Sequence, residues 1–311
     1  MGSRWTEERI PDQSGRTVLI TGASSGLGLR SAQVLAGKGA HVLLGCRSRE
    51  RGEQALRTVP GGTLVPLDLA DLDAVRQAAL GVRELTGDRL DVLMNNAGVM
   101  APPRTLTKDG FELQFGTNHL GHAALTWLLM PALRGAGEAR VVTVSSMAAG
   151  GTRLDLADPN FERQRYNPST AYRRSKLANQ VFAMELDRRL RVAGDDVISV
   201  AAHPGFAMTG LLASMARSYR NPVLRAGIEA ADRIVGALRL AQDVRTGVLP
   251  QLCAATAPGA NGGDYIGPAS LAGARGYPTI VSPVRAALDR RTGSALWELT
   301  AKLTGVTPDP A

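Results

Sequence analysis

Lysine is nearly missing from this 311-residue chain: it occurs only at 38, 108, 176 and 302, and every other basic residue is arginine. Cysteine is as scarce. Cys46 and Cys253 are too few and too far apart for a disulfide framework, so both are expected as free thiols in a reducing cytoplasm. Neither these cysteines nor His41, His119, His122 and His203 fall at metal-ligand spacing, so no metal site is expected. Aromatic residues make up 4% of the chain, which leaves little to stack on bases. The formal charge of +8 comes from arginines scattered among acids, which argues against nucleic acid and leaves a weak attraction for phosphorylated ligands open. Long hydrophobic runs are absent too. The longest, Ala123–Leu133, carries Pro131 and is too short to span a bilayer, so no transmembrane segment is expected. The first ten residues, MGSRWTEERI, have no apolar signal core. They fit a myristoylation pattern through Gly2 and Thr6 that is short and common by chance.

What the chain does have is rhythm. TVLIT (17–21), HVLLGC (41–46), TLVPL (63–67), LDVLMN (90–95), RVVTVS (140–145) and VISVAAH (197–203) are short apolar runs rich in β-branched residues. Amphipathic stretches separate them, among them Gly28–Lys38, Asp71–Leu85 and Phe111–Leu133. Strands apolar on both faces and alternating with helices predict a parallel sheet covered on both sides. Such a sheet binds ligands beyond the carboxyl ends of its strands. The series runs without a polar break, so one α/β domain over 15–306 is expected, with an N-terminal extension over 1–14 and a frayed tail over 307–311. Two stretches break the rhythm: 148–169 reads as an excursion loop and 206–223 as a mobile helical flap.

TGASSGLG (21–28) joins the first strand to the first helix. There Gly22 allows a tight exit, Gly26 lets backbone approach a pyrophosphate, and Gly28 lets the helix pack on the sheet. An ordinary flexible turn is the competing reading. Further on, Tyr172 and Lys176 stand four residues apart in a helical stretch and so share a face. An ammonium beside a phenol favours the phenolate and suits it to proton transfer. Read alone, the pair would be a solvated helix face.

The set T-G-x-x-x-G-x-G, NNAG (95–98), Asn118, VSS (144–146), YRRSK (172–176) and HPG (203–205), in that order, resembles the short-chain dehydrogenase/reductase family over roughly Gly15–Pro268. RVVTVSS, the long loop after it, DGFELQFGTNHLGHAALT (109–126) and HPGFAMTGL resemble its retinol dehydrogenase-like branch. The resemblance implies a single-domain Rossmann fold, with a doubly wound parallel sheet of about seven strands. It implies an oxidoreductase that interconverts a lipophilic alcohol and its aldehyde or ketone, and dimers or tetramers as the inherited expectation.

By that resemblance Tyr172 is the acid/base, tuned by Lys176, which also holds the nicotinamide ribose. Ser146 rather than Ser145 stabilises the reacting oxygen, and Asn118 holds a water linked to Lys176. Gly22, Ser24, Ser25, Gly26, Leu27 and Gly28 form the phosphate turn. Asp68 and Leu69 contact the adenine, Asn95, Ala97 and Gly98 the adenosine ribose side. Pro204, Gly205 and Thr209 contact the carboxamide or pyrophosphate. His203 is expected to be structural. At the end of the second strand Cys46 stands where an acid would select NAD, and Arg47 follows, able to bind a 2′-phosphate, so NADP(H) is preferred over NAD(H). A surface arginine is the competing reading of Arg47. Met100, Phe206, Met208, Leu211, Leu212 and Met215 form an apolar wall and lid, or else ordinary packing. The alternative at the level of function is a non-catalytic nucleotide-binding regulator or an interaction protein on the same fold.

Overall fold

A computed structural model describes residues 4–206, 215, 216, 218, 219, 221–237 (backbone alone from 231) and 242–311. Strand and helix alternate from the start: β1 (Thr17–Thr21), α1 (Gly26–Gly37), β2 (His41–Cys46), α2 (Arg49–Leu56), β3 (Thr63–Pro66), α3 (Leu72–Thr86) and β4 (Val92–Asn95). A short α4 (Leu113–Phe115) leads through a π-helical turn (Gly116–Leu120) into α5 (Gly121–Ala136). Then come β5 (Arg140–Val144), α6 (Pro168–Ala193) and β6 (Ile198–Ala202). The remainder is α7 (Pro222–Ala237), α8 (Val244–Gly247), α9 (Leu249–Thr256), β7 (Tyr265–Ser270), β8 (Arg275–Ile280), α10 (Arg285–Leu288) and α11 (Arg290–Thr304).

Among the described residues eight strands form one sheet in the order β3-β2-β1-β4-β5-β6-β7-β8. All neighbours are parallel except β7 and β8, which pair antiparallel. The expected sheet of about seven parallel strands is thus eight, with an antiparallel edge. The order reverses between β1 and β4, and a crevice at such a switch point is where this class of sheet takes its ligand.

Alternation along the strands feeds two cores. Val18, Ile20, Val42, Leu44, Val142 and Val200 face α1, α2 and α9. Leu19, Leu43, Leu93 and Val141 face α3, α5, α6 and Trp297 of α11. The two ends of the chain are tied down more firmly than the sequence implies. Trp5 and Ile10 of the N-terminal extension are buried in the first core, and Glu7 accepts two hydrogen bonds from Arg30 of α1 at 3.1 and 2.6 Å. The tail expected to fray carries Asp309, which accepts from Arg134 of α5 at 2.8 and 2.6 Å. Both differences arise from long-range contacts that local composition does not signal.

Candidate active site

The glycine turn leaves β1 at Gly22, whose φ of +69° suits glycine. A Cβ there would stand 3.0 Å from Ala97, and one on Gly28 would meet the Gly22 carbonyl oxygen at 2.5 Å and Asn96 Nδ2 at 2.6 Å. Gly26 (φ +57°) begins α1. Ser25 precedes it without capping the helix through its side chain, so the first-turn N–H groups stay open to an anion. Turn and helix end therefore pack too closely on the β4 exit for side chains at 22 or 28, and the cradle they form, with open N–H groups at the α1 N-terminus, fits a pyrophosphate. Leu27 is buried behind it. Ser24 hydrogen-bonds Cys46, whose thiol burial pushes up to about 11. Next to it, at the end of β2, Arg47 is exposed. Across the turn Asp68 is half-buried, its carboxylate accepting the Ala70 N–H at 3.0 Å, and Leu69 is buried.

The ends of β4 and β5 and one face of α6 converge beyond this cradle. At β5 the two serines part as alternation demands. Ser145 is buried and donates to the Lys176 carbonyl at 2.7 Å, whereas Ser146 points the other way and hydrogen-bonds Tyr172. Lys176 is buried, and its Nζ donates to the Val144 carbonyl at 3.0 Å. Burial lowers its pKa to about 8. Burial also raises the Tyr172 phenol above its ordinary value, against which the Ser146 hydrogen bond works. Burial outweighs the Ser146 hydrogen bond, so the lowered phenol pKa expected from the sequence is not a property of the chain by itself.

Asn118 sits in the π-helical turn, fully buried. Its amide is held on both sides: Oδ1 accepts from Val99 N–H at 2.8 Å, and Nδ2 donates to the Val99 carbonyl at 3.0 Å and to Ser175 Oγ at 2.9 Å. A Cβ built on Gly98 would lie 3.3 Å from Asn118 Oδ1 and 3.4 Å from Lys176 Nζ. Asn118 and Lys176 thus flank one small space that the glycine keeps open. Ala97 is half-buried beside it, its N–H donating to Thr21 Oγ1 at 2.9 Å.

One expected contact is reversed. Asn95 was placed along the ribose side, yet its side chain is fully buried and donates to Thr126 Oγ1 of α5 at 3.0 Å. As the last residue of β4 it follows the strand's alternation into the second core, and Asn96 is the one turned to the glycine turn.

At the end of β6 the HPG turn is fixed in place. Gly205 has φ +67°, and a Cβ on it would stand 2.5 Å from the Ala274 carbonyl oxygen. Its N–H donates to His203 Nδ1 at 3.3 Å, and the His203 ring packs on Tyr265 at 5.0 Å between centroids. That is the structural place expected of it. Thr209, Met208, Leu211 and Leu212 lie outside the described residues. Phe206 is exposed, and Met100 and Met215 are half-buried.

Several supports escaped the sequence reading. Buried Gln242 donates to the Pro204 carbonyl at 2.6 Å and accepts the Gly276 N–H at 3.2 Å. Thr21 Oγ1 accepts the N–H groups of Asn96 and Ala97, both at 2.9 Å. The threonine is the first letter of the glycine motif, so position alone could have flagged it; nothing local flags Gln242. The excursion loop is strapped down as well. Asp158 accepts backbone N–H groups from Glu162, Arg163 and Gln164, and the Tyr166 hydroxyl donates to buried Glu112 at 3.0 Å.

Known proteins resemble this chain in sequence and in fold. The family model described as short chain dehydrogenase matches residues 16–220. Human retinol dehydrogenase 13 is 43% identical over 203 residues, which are 63% of this chain and 60% of the human protein. The chain thus aligns with less than two thirds of that relative's length. Mouse polyprenol dehydrogenase is 37% identical over 310 residues, 95% of this chain and 86% of the mouse protein. A crystal structure of a Mycobacterium paratuberculosis protein is 42% identical, with a TM-score of 0.81 over 98% of both chains. The chain belongs to the short-chain dehydrogenase family, on the branch of the retinol dehydrogenases.

Proposed function

We propose that the chain is an NADP(H)-dependent oxidoreductase that interconverts a lipophilic alcohol, of the isoprenoid kind, and its aldehyde or ketone. The observation that carries this is the Ser146–Tyr172 hydrogen bond beside buried Lys176, at the mouth of the glycine cradle. The likeness to polyprenol dehydrogenase over 95% of the chain, and the partial one to retinol dehydrogenase 13, support the substrate class. Cys46 and Cys253 are both buried and not joined in a disulfide, which suits a reducing compartment such as the cytoplasm.

The cofactor, when bound, supplies or takes the hydride. Gly22, Gly26 and Gly28 would hold its pyrophosphate at the α1 N-terminus, and Asp68 and Leu69 would flank its adenine. Arg47 would take a 2′-phosphate by a forked hydrogen bond, with no carboxylate at the β2 end to repel it. Tyr172 gives its proton to the carbonyl oxygen in reduction and removes it from the alcohol in oxidation. Ser146 donates to the same oxygen and stabilises its developing charge. Lys176, with a pKa near neutrality, exchanges protons readily at working pH. Asn118 and Lys176 would hold one water between them in the space over Gly98, which returns the proton to Tyr172.

The test is NADPH consumption by purified protein with retinal, geranylgeranial, aliphatic and aromatic carbonyls, with Tyr172→Phe alongside. Turnover is expected with the isoprenoid aldehydes. The variant should lose about 10³-fold in kcat, in the range of general acid–base contributions, while keeping NADPH affinity. Tight NADPH binding without any turnover would replace this reading by that of a nucleotide-binding regulator. Tighter binding of NADH would defeat the assignment of Arg47.

A further inference from the structure

His122 has no part in the proton transfer just described, yet it touches both halves of the site. It lies one helical turn past Asn118 and is buried, 2% exposed. Its Nδ1 is 2.9 Å from the main-chain oxygen of Asn118, and its Nε2 is 2.8 Å from Thr21 Oγ1. These distances fix the tautomer. A carbonyl oxygen only accepts, so Nδ1 carries the proton and Nε2 is left as an acceptor. The Thr21 hydroxyl must then donate to Nε2, in preference to the Met94 carbonyl 3.4 Å away. Its lone pairs remain for the N–H groups of Asn96 and Ala97. Ala97 in turn is the residue against which Gly22 packs. A single imidazole thus joins the π-helical turn that presents Asn118 to the β4 exit and the glycine turn.

Other buried groups hold it in that role. The nearby charges are Lys176 and, if protonated, His119, and both oppose a charge on the ring; burial pushes its pKa down to about 4. A neutral, singly protonated ring has one donor and one acceptor, and both are in use.

We propose that His122 is a positioning residue with two separable arms, an inference that rests on the functional reading above. Through Nδ1–H it sets Asn118 for the proton relay. Through Nε2 and Thr21 it sets the backbone of Asn96 and Ala97 against which the cofactor would lie.

The arms can be cut one at a time. His122→Asn keeps an amide N–H near the Nδ1 position but no longer reaches Thr21. Thr21→Val removes the other end of the same arm. His122→Leu removes both. Calorimetric NADPH binding would be measured for each variant, and kcat across pH with geranylgeranial for those that turn over. Thr21→Val and His122→Asn should each weaken NADPH about tenfold, one hydrogen bond's worth, with kcat changed less than about threefold. The double variant should be no weaker than the worse single, because both cut one arm. His122→Leu should in addition lose about tenfold or more in kcat and shift its pH profile. If it fails to fold, the Thr21→Val and His122→Asn pair decides alone. Effects of that pair that simply multiply, or variants with wild-type Kd and kcat, would overturn the proposal. Wild-type protein that binds neither NADPH nor NADH would instead defeat the functional reading, and the proposal with it.

Discussion

The two faces of the sheet are both covered by helices but differ in what those helices bury. On the face of α1, α2 and α9 the interior is mostly aliphatic, with Trp5 at its edge, and Gln251 donates there to Ser31 at 2.8 Å and to Asn96 at 3.2 Å. On the face of α5 and α6 the interior holds Asn95, Asn118, His119, His122, Thr126, Ser145 and Lys176, all buried. A polar group taken from water costs stability unless it finds a partner. The second face accepts that cost along two helices that run side by side into the site. It offsets the cost with aromatic packing: Trp297 stacks on Phe182 at 5.4 Å and meets Trp127 edge-on at 4.8 Å. One face builds the fold; the other holds the chemistry and needs extra apolar support to do so.

The largest break in that contrast should come from removing the support. Trp297→Ala should cost about 3–5 kcal/mol, as for other large aromatic truncations in cores. Urea unfolding of the ligand-free protein measures it. A loss below about 1 kcal/mol would mean that the polar face holds itself together without the aromatic cluster.

Acid should reach the second face next. Burial lowers His122 to about 4 and His119 to about 3, from an ordinary 6.5. In that window the folded protein binds fewer protons than the unfolded chain, so stability falls as pH drops from about 6.5 toward 4. Each of the two should account for about 2–3 kcal/mol by pH 4.5, from the cost of about 1.4 kcal/mol per pKa unit. His203, lowered to about 4 at the end of β6, adds to the same slope. His119→Gln keeps an amide able to reach Thr300 and loses the titration. Comparing its unfolding with the wild type at pH 7 and 4.5 isolates one share and cancels the carboxylates, including Glu112, whose raised pKa acts with opposite sign. Equal pH slopes in the two proteins would show that His119 is not buried neutral.

How much of this was legible in the sequence follows the range of each interaction. The cradle and the Tyr172–Lys176 pair are local: a strand, a turn and a helix fix them within a few residues of one another. Strand alternation, also local, parts Ser145 from Ser146, the resemblance points to Ser146, and the structure separates the two. The same rule turns Asn95 inward, against what the resemblance implies. His122 reaches Thr21 across 101 positions, and Gln242 reaches Pro204 across 38. No pattern in either segment announces such a partner. The last two strands were missed for another reason. Pro268 and Pro278 stand opposite each other in the hairpin, and proline in a short run argues against a strand.

The smallest test concerns where the second face ends. Arg134, in the last turn of α5, donates to Asp195 just past α6 at 2.6 Å and to Asp309 in the C-terminal tail. The Asp195 carboxylate is nearly buried, while Arg134 is exposed and Asp309 half-buried. Solvent therefore weakens the tail contact more than the one beneath it. Asp309→Ala should cost about 0.5 kcal/mol and Asp195→Ala about 1–2 kcal/mol, in line with exposed and partly buried ion pairs. The Asp309 effect should vanish in 1 M salt, where the screening length is about 3 Å, and the Asp195 effect should largely persist. Thermal unfolding at low and high salt separates them. If instead Asp309→Ala proves the costlier and stays so in salt, the tail is part of what closes the polar face, and the boundary of the fold lies beyond α11.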